Sequence, residues 1–165
     1  MHTADGTERP VDAIIFGTGF HTTEGIGDLA VVGPDGRTLG EAWAGGMEAY
    51  LGTTVAGFPD LYLLLGPNTG LGHNSVVFMA EAQIRYVLGC LALAGDHRLA
   101  VTPAAQERFN ADLRRRMPRT VWSVGGCTSW YLDENGVNRT QWPGSTATFW
   151  LRMRRPKRAA FDITA

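Results

Sequence analysis

Residues 63–79, LLLGPNTGLGHNSVVFM, constrain this chain more than any other stretch. A leucine run enters a loop carrying Gly66, Gly70 and Gly72, and an apolar segment leaves it. Phosphate-cradling loops have this order, yet both common signatures are missing. The P-loop pattern requires Gly-Lys-Ser/Thr after its spacer, and no lysine is nearby. The dinucleotide pattern G-x-G-x-x-G would run from Gly70 through Gly72 to position 75, which is Ser75. Whatever this loop holds, it holds without either fingerprint.

The surrounding elements follow from local chemistry. VDAIIF (11–16), bounded by Pro10 and Gly17, reads as a short buried strand, and DLYLLLG (60–66) as a second. LAVVGPDGRTL (29–39) reads as a hairpin turning on Pro34, Asp35 and Gly36. The glycines of AGGMEAYLGTTVAGFP (44–59) predict irregular structure. Asn74 or Ser75 is a suitable N-cap. From there Val76, Ala80, Ile84, Val87, Leu88 and Leu91 recur at helical spacing, which predicts one core-facing stripe ending at Gly95. A second helix is expected from Thr102 and Pro103 to about Met117. Further on, DENG reads as a tight turn, and Ser145 as the cap of a short helix ending by Pro156.

With 165 residues, the chain is expected to form a single domain over 1–165 and to bury roughly 70% of its unfolded surface. Glu81, Arg85 and Gly89 interrupt the longest apolar run, so no membrane span is expected. The polar N-terminus shows no secretory signal, which makes the expected location cytoplasmic and Cys90 and Cys127 reduced thiols. Charge is uneven: residues 1–100 carry 4 basic and 11 acidic groups, residues 101–165 carry 11 and 5. The basic runs Arg114–Arg119 and Arg152–Arg158 read as a solvated helix end and tail. They lack the interleaved aromatics of a base-stacking surface, so no nucleic-acid partner is expected. The four histidines have no partner at metal-ligand spacing, and no metal site is expected. One strand, a hairpin, another strand and a long helix do not complete a parallel sheet. The chain reads as the closing part of something larger.

Three stretches, DAIIFGTGF (12–20), GFPDLYLLLGPNTGLGHNSVVFMAEAQIRYV (57–87) and TVWSVGGCTSWYLDENGVNRTQWPGST (120–146), carry a resemblance. The chain resembles the C-terminal region of bacterial flavin-dependent monooxygenases of the Baeyer–Villiger and flavin-containing type. The resemblance implies an α/β fold: a partial FAD/NAD(P)-binding Rossmann-like fold, the C-terminal part of the FAD domain, with an incomplete sheet and one long helix after a Gly-rich loop. It implies FAD and NADPH as cofactors of the complete enzyme and a small-molecule ketone or heteroatom compound as substrate. In such enzymes one oxygen of O2 is inserted through a C4a-(hydro)peroxyflavin. The family's two phosphate-binding glycine motifs and its flavin-side arginine have no counterpart here. The chain is therefore also readable as a non-catalytic remnant, or as a split-protein subunit that needs an N-terminal nucleotide-binding half or self-associates.

The resemblance also answers what the loop is for. It implies that Gly66, Pro67, Asn68 and Gly72 bring a helix start to the flavin ring, where Asn74, Ser75 and Val76 present N–H groups. A helix N-terminus carries about half a positive charge, which suits the ring edge that becomes negative on reduction. Thr18, Gly19 and Phe20 are implied to lie beside FAD, and Trp130, next to Tyr131, to face the nicotinamide. The plainer alternatives are a loop capping a core helix, a strand-ending turn and a core aromatic.

Overall fold

The computed structural model describes residues 1–17, 29–125 and 129–165. After a tight turn in which His2 bridges Glu8, the expected hairpin follows. Gly36 adopts φ +83°, its N–H donates to the Gly33 carbonyl, and Val32 bridges Thr38. Thr38 then caps helix α1 (Leu39–Ala42), exchanging hydrogen bonds with Glu41 in a capping box. Residues 44–59 are irregular, as their glycines predict, and are held by isolated bridges at Tyr50–Thr54 and Val55–Phe58.

Helix α2 (Val76–Ala94) starts on the Ser75 side chain and stops at Gly95, whose φ of +57° few other residues adopt readily. Strand β1 (Arg98–Val101) follows. Thr102 caps α3 (Pro103–Arg116), with Pro103 in the first turn where no N–H is needed. After a 3-10 turn (Met117–Arg119) come α4 (Val121–Val124), the Asp133–Gly136 turn, and α5 (Thr146–Met153) capped by Ser145. The last strand, β2 (Phe161–Thr164), pairs antiparallel with β1 in the register Arg98–Thr164 to Val101–Phe161. The sequence patterning did not reveal this pair. Among the described residues it is the only sheet, and no parallel strands accompany it.

Two apolar clusters form the core. The larger joins α2, α3, α5 and the sheet through Met79, Tyr86, Phe109, Trp142, Phe149 and Phe161. The smaller gathers Leu39, Trp43, Met47, Val55 and Phe58. Cys90 is a free thiol in the larger one, and burial pushes its pKa up to about 12. Cys127 lies outside the described residues.

Several expectations are corrected. Residues 11–16 form no strand and are not buried: Ile15 is 95% and Phe16 81% exposed. Residues 60–66 form no strand either. Leu65 has φ +55°, and its N–H is taken by a side chain, Gln83 Oε1 at 2.9 Å, where a strand would use a neighbour's carbonyl. The stripe expected to face the core also points the other way. Val76, Ile84, Leu88 and Leu91 are exposed, and the buried face is Met79, Ala82, Gln83, Tyr86, Cys90 and Ala94. Being apolar on nearly every side, α2 gives periodicity little to choose between. By length and composition it could also cross a membrane, contrary to the sequence expectation. Its packed face carries Gln83 and Tyr86, both fully buried within the protein core.

Candidate functional site

The Gly-rich loop divides into an inner and an outer half. Gly66, Pro67, Asn68 and Thr69 are buried. A Cβ at Gly66 would strike the Gly52 carbonyl, so glycine is needed for packing against the protein's own backbone. Asn68 sits at φ +57°, and its Nδ2 donates to the carbonyls of Asn138 and Gln141, both at 3.1 Å. Its backbone N–H donates to Arg139 O and that of Gly70 to Thr140 O, while Gly70 O accepts from Trp142 N. The inner half is thus laced onto residues 138–142. Gln83, fully buried, secures the approach: its Nε2 donates to Gly52 O and Thr53 Oγ1, both at 3.0 Å.

The outer half is open. Residues 72–78 are all exposed. Asn74 Oδ1 accepts from Ser75 N at 2.7 Å, and Asn74 Nδ2 donates to Thr146 Oγ1 at 3.2 Å, which anchors the loop to the start of α5. Ser75 Oγ accepts from Phe78 N at 3.4 Å. The N–H groups of Val76 and Val77 begin the helix and have no intrahelical acceptor. None is found for them elsewhere among the described residues. An exposed helix start with two open donors, approached by glycine-bearing backbone, can hydrogen-bond an anionic or carbonyl edge.

Aromatic rings flank this turn. A Cβ on Gly72 would enter the Trp122 ring. Trp122 meets Tyr131 edge-on at 5.3 Å, and Tyr131 meets Trp130 at 5.4 Å. The structure therefore brings Gly72 and Trp130 to one side of the molecule through two intervening rings, and Trp130 is 45% exposed. Thr18, Gly19 and Phe20 lie outside the described residues. No cluster of metal-ligating side chains occurs among the described residues. A cavity of about 940 Å³ lies elsewhere, between Tyr50, α3 and the chain after α5. The chemistry at residues 72–78 suits a surface that meets another component, so cavity size does not locate it.

No protein-family model matches the chain. Over 164 residues, 97% of its length, it is 51% identical to a Baeyer–Villiger monooxygenase of Streptomyces coelicolor, of which it covers 32%. It is 52% identical over 164 residues to a Baeyer–Villiger monooxygenase of Pseudomonas aeruginosa, covering 31% of that protein. This chain is similar to Baeyer–Villiger monooxygenases. It spans about a third of the length of the curated relatives it matches. Its fold is similar to the closed crystal structure of cyclohexanone monooxygenase, with a TM-score of 0.76 at 22% identity, over 99% of this chain and 32% of the other. It is also similar to the OTEMO complex with FAD and NADP, with a TM-score of 0.70 at 23% identity, over 98% and 32%. At such identities these two likenesses speak to fold alone.

Relative to this monooxygenase likeness, the residues that sequence reasoning missed are those that hold the loop. Gln83 gave no distinct signal, because it sits between Glu81 and Arg85 and reads as part of the same polar group. Asn138 reads by pattern as a glycosylation sequon, but its Oδ1 accepts from Thr140 N and Gln141 N and shapes the turn against Asn68. Arg139 is a rivet. It donates to Asp133 Oδ2 (2.8 Å), Glu48 Oε1 (3.1 Å) and Gly45 O (2.8 Å), joining the smaller core cluster to the loop's support. Burial pushes the Asp133 carboxyl up, but the hydrogen bonds from Arg139, Val137 and Asn135 outweigh it and hold its pKa below the usual value.

Proposed function

We propose that this chain is the part of an NADPH- and FAD-dependent monooxygenase that presents a helix start to the flavin. The observation that carries the reading is the exposed first turn of α2, with the N–H groups of Val76 and Val77 open beside Gly72. The residues present fit a flavin: two unpaired donors at a positive helix end, and no acidic side chain between Gly66 and Val76 to repel a negative ring edge. When bound, FAD reduced by NADPH supplies the activation of O2 and the transfer of one oxygen atom to a ketone or heteroatom. In this reading Val76 and Val77 orient the ring by hydrogen bonds, and Ser75 and Asn74 keep the turn in shape. Gly72 keeps side-chain bulk away, while Trp130 shields the nicotinamide side from water. The names of the Streptomyces and Pseudomonas relatives, and the FAD and NADP of the OTEMO complex, support it.

The test is the visible spectrum of the purified chain after mixing with FAD and removing free flavin by gel filtration. A retained band with a shifted maximum, lost in Gly72→Val, is the expected outcome. A retained band unchanged by that substitution would sink the assignment of the ring to this turn.

A second reading, that the chain works only docked to a separate nucleotide-binding half, is favoured by the exposed apolar face of α2. Ile84, Leu88 and Leu91 are exposed apolar residues on one side of α2, the kind of surface a partner covers. Light scattering decides here: self-association of the isolated chain supports this reading, and a clean flavin-binding monomer opposes it.

A further inference from the structure

The cleft of about 940 Å³ is a second candidate site, chemically unlike the first. Arg108 on α3 and Arg152, Arg154, Arg155 and Lys157 at the end of α5 surround it, against the single carboxylate of Asp112. That carboxylate is already engaged by Arg115 (3.1 Å), Arg152 (3.3 Å) and Arg116 (3.7 Å). Arg108, Arg155 and Lys157 have no ion-pair partner among the described residues, and Arg154 lies over the Trp150 ring at 5.3 Å. A chain with a net charge of −1 thus concentrates uncompensated positive charge around one recess. The recess is not polar throughout. Tyr50 and Phe109, edge-on at 5.6 Å, and the buried Ala105 and Ala160 line it. A concave low-dielectric wall ringed by like charge focuses the field on any anion that enters. Arginine's planar fork matches phosphate oxygens in pairs, and the volume falls in the range of small-molecule sites.

We propose that this cleft binds a small phosphate ester whose apolar body rests beside Tyr50, which is only half-buried, while its phosphate meets the cations of the rim. A nucleic-acid track would need a running groove with stacking rings along its edge.

The experiment is titration calorimetry on the full 165-residue chain with 1-naphthyl phosphate and, separately, inorganic phosphate. The expected result is at least tenfold tighter binding of 1-naphthyl phosphate. Its affinity should fall about tenfold between 50 and 300 mM salt, and by a similar factor in Arg155→Gln/Lys157→Gln, two exposed positions whose replacement leaves the circular dichroism unchanged. Equal affinity for the two probes would mean a counter-ion atmosphere only, and an unchanged affinity in the double variant would place the ligand elsewhere; either overturns the proposal. FAD retention is measured on the same variant. A loss there, with Gly72→Val harmless, would move flavin binding from α2 to this cleft, so the two assignments fail separately.

Discussion

The two faces of α2 are both rich in apolar residues and have opposite fates. On one, Met79, Gln83, Tyr86 and Cys90 are fully buried. On the other, Ile84, Leu88 and Leu91 are about half exposed or more. Composition separates them through two charges, Glu81 and Arg85, both on the exposed side. On the packed side, Gln83 satisfies both ends of its amide against Leu65, Gly52 and Thr53. Two exposed charges and one buried amide thus mark an orientation that the apolar residues alone leave open. The bare face is then left for something other than this protein's own core.

That contrast can be broken most forcefully from the packed side. Met79→Ala should lower unfolding free energy by about 2–5 kcal/mol, read from urea denaturation, because the cavity lies where α2 meets the core. An effect below about 1 kcal/mol would mean the two faces are equivalent. Next comes Gln83→Ala, which strips partners from Leu65 N–H and the Gly52 carbonyl and should cost about 1–3 kcal/mol. It should also speed hydrogen exchange at Leu65, and an unchanged rate there would refute its role as the anchor of the loop.

A smaller effect is expected from acid. Asp133 has its pKa held below the ordinary 3.8, so its charged form is favoured by folding. The stability this supplies is complete above the ordinary value and drains away as pH falls through the depressed one. The thermal midpoint of the wild type should therefore drop more steeply below about pH 4 than that of Asp133→Asn; parallel curves would contradict the pairing with Arg139. Smallest is Leu88→Ser on the bare face. It should shift monomer stability by no more than about 0.5 kcal/mol while weakening any self-association seen by light scattering. A large loss of stability would mean that this face is core after all.

The punctuation of the fold was legible in the residues themselves. Ser75, Gly95, Thr102 with Pro103, Ser145 and the Asp133–Gly136 turn all act through chemistry contained within a few positions. What was not legible depends on distant partners. A strand is defined by its neighbour, so VDAIIF looked like one while having no partner to pair with among the described residues. Phe161–Thr164 is one because Arg98–Val101 lies beside it. The site divides in the same way. Ser75 as the helix cap is local chemistry and was read directly, but its N–H, expected to face a ligand, donates to Asn74 Oδ1, and the open donors are those of Val76 and Val77. Asn68 and Gly66 were read as facing a ligand, but the structure turns them inward onto Asn138, Gln141 and Gly52, contacts no local pattern announces.

The Arg139 rivet leaves little room beside it. Gly46 lies under its guanidinium at φ +107°, where any side chain would both collide with the arginine and strain the backbone. Positions 46 and 139, far apart in the chain, are therefore not free to drift separately. A shorter residue at 139 would remove the collision at 46 but not its torsional demand, so among homologues the glycine should outlast the arginine.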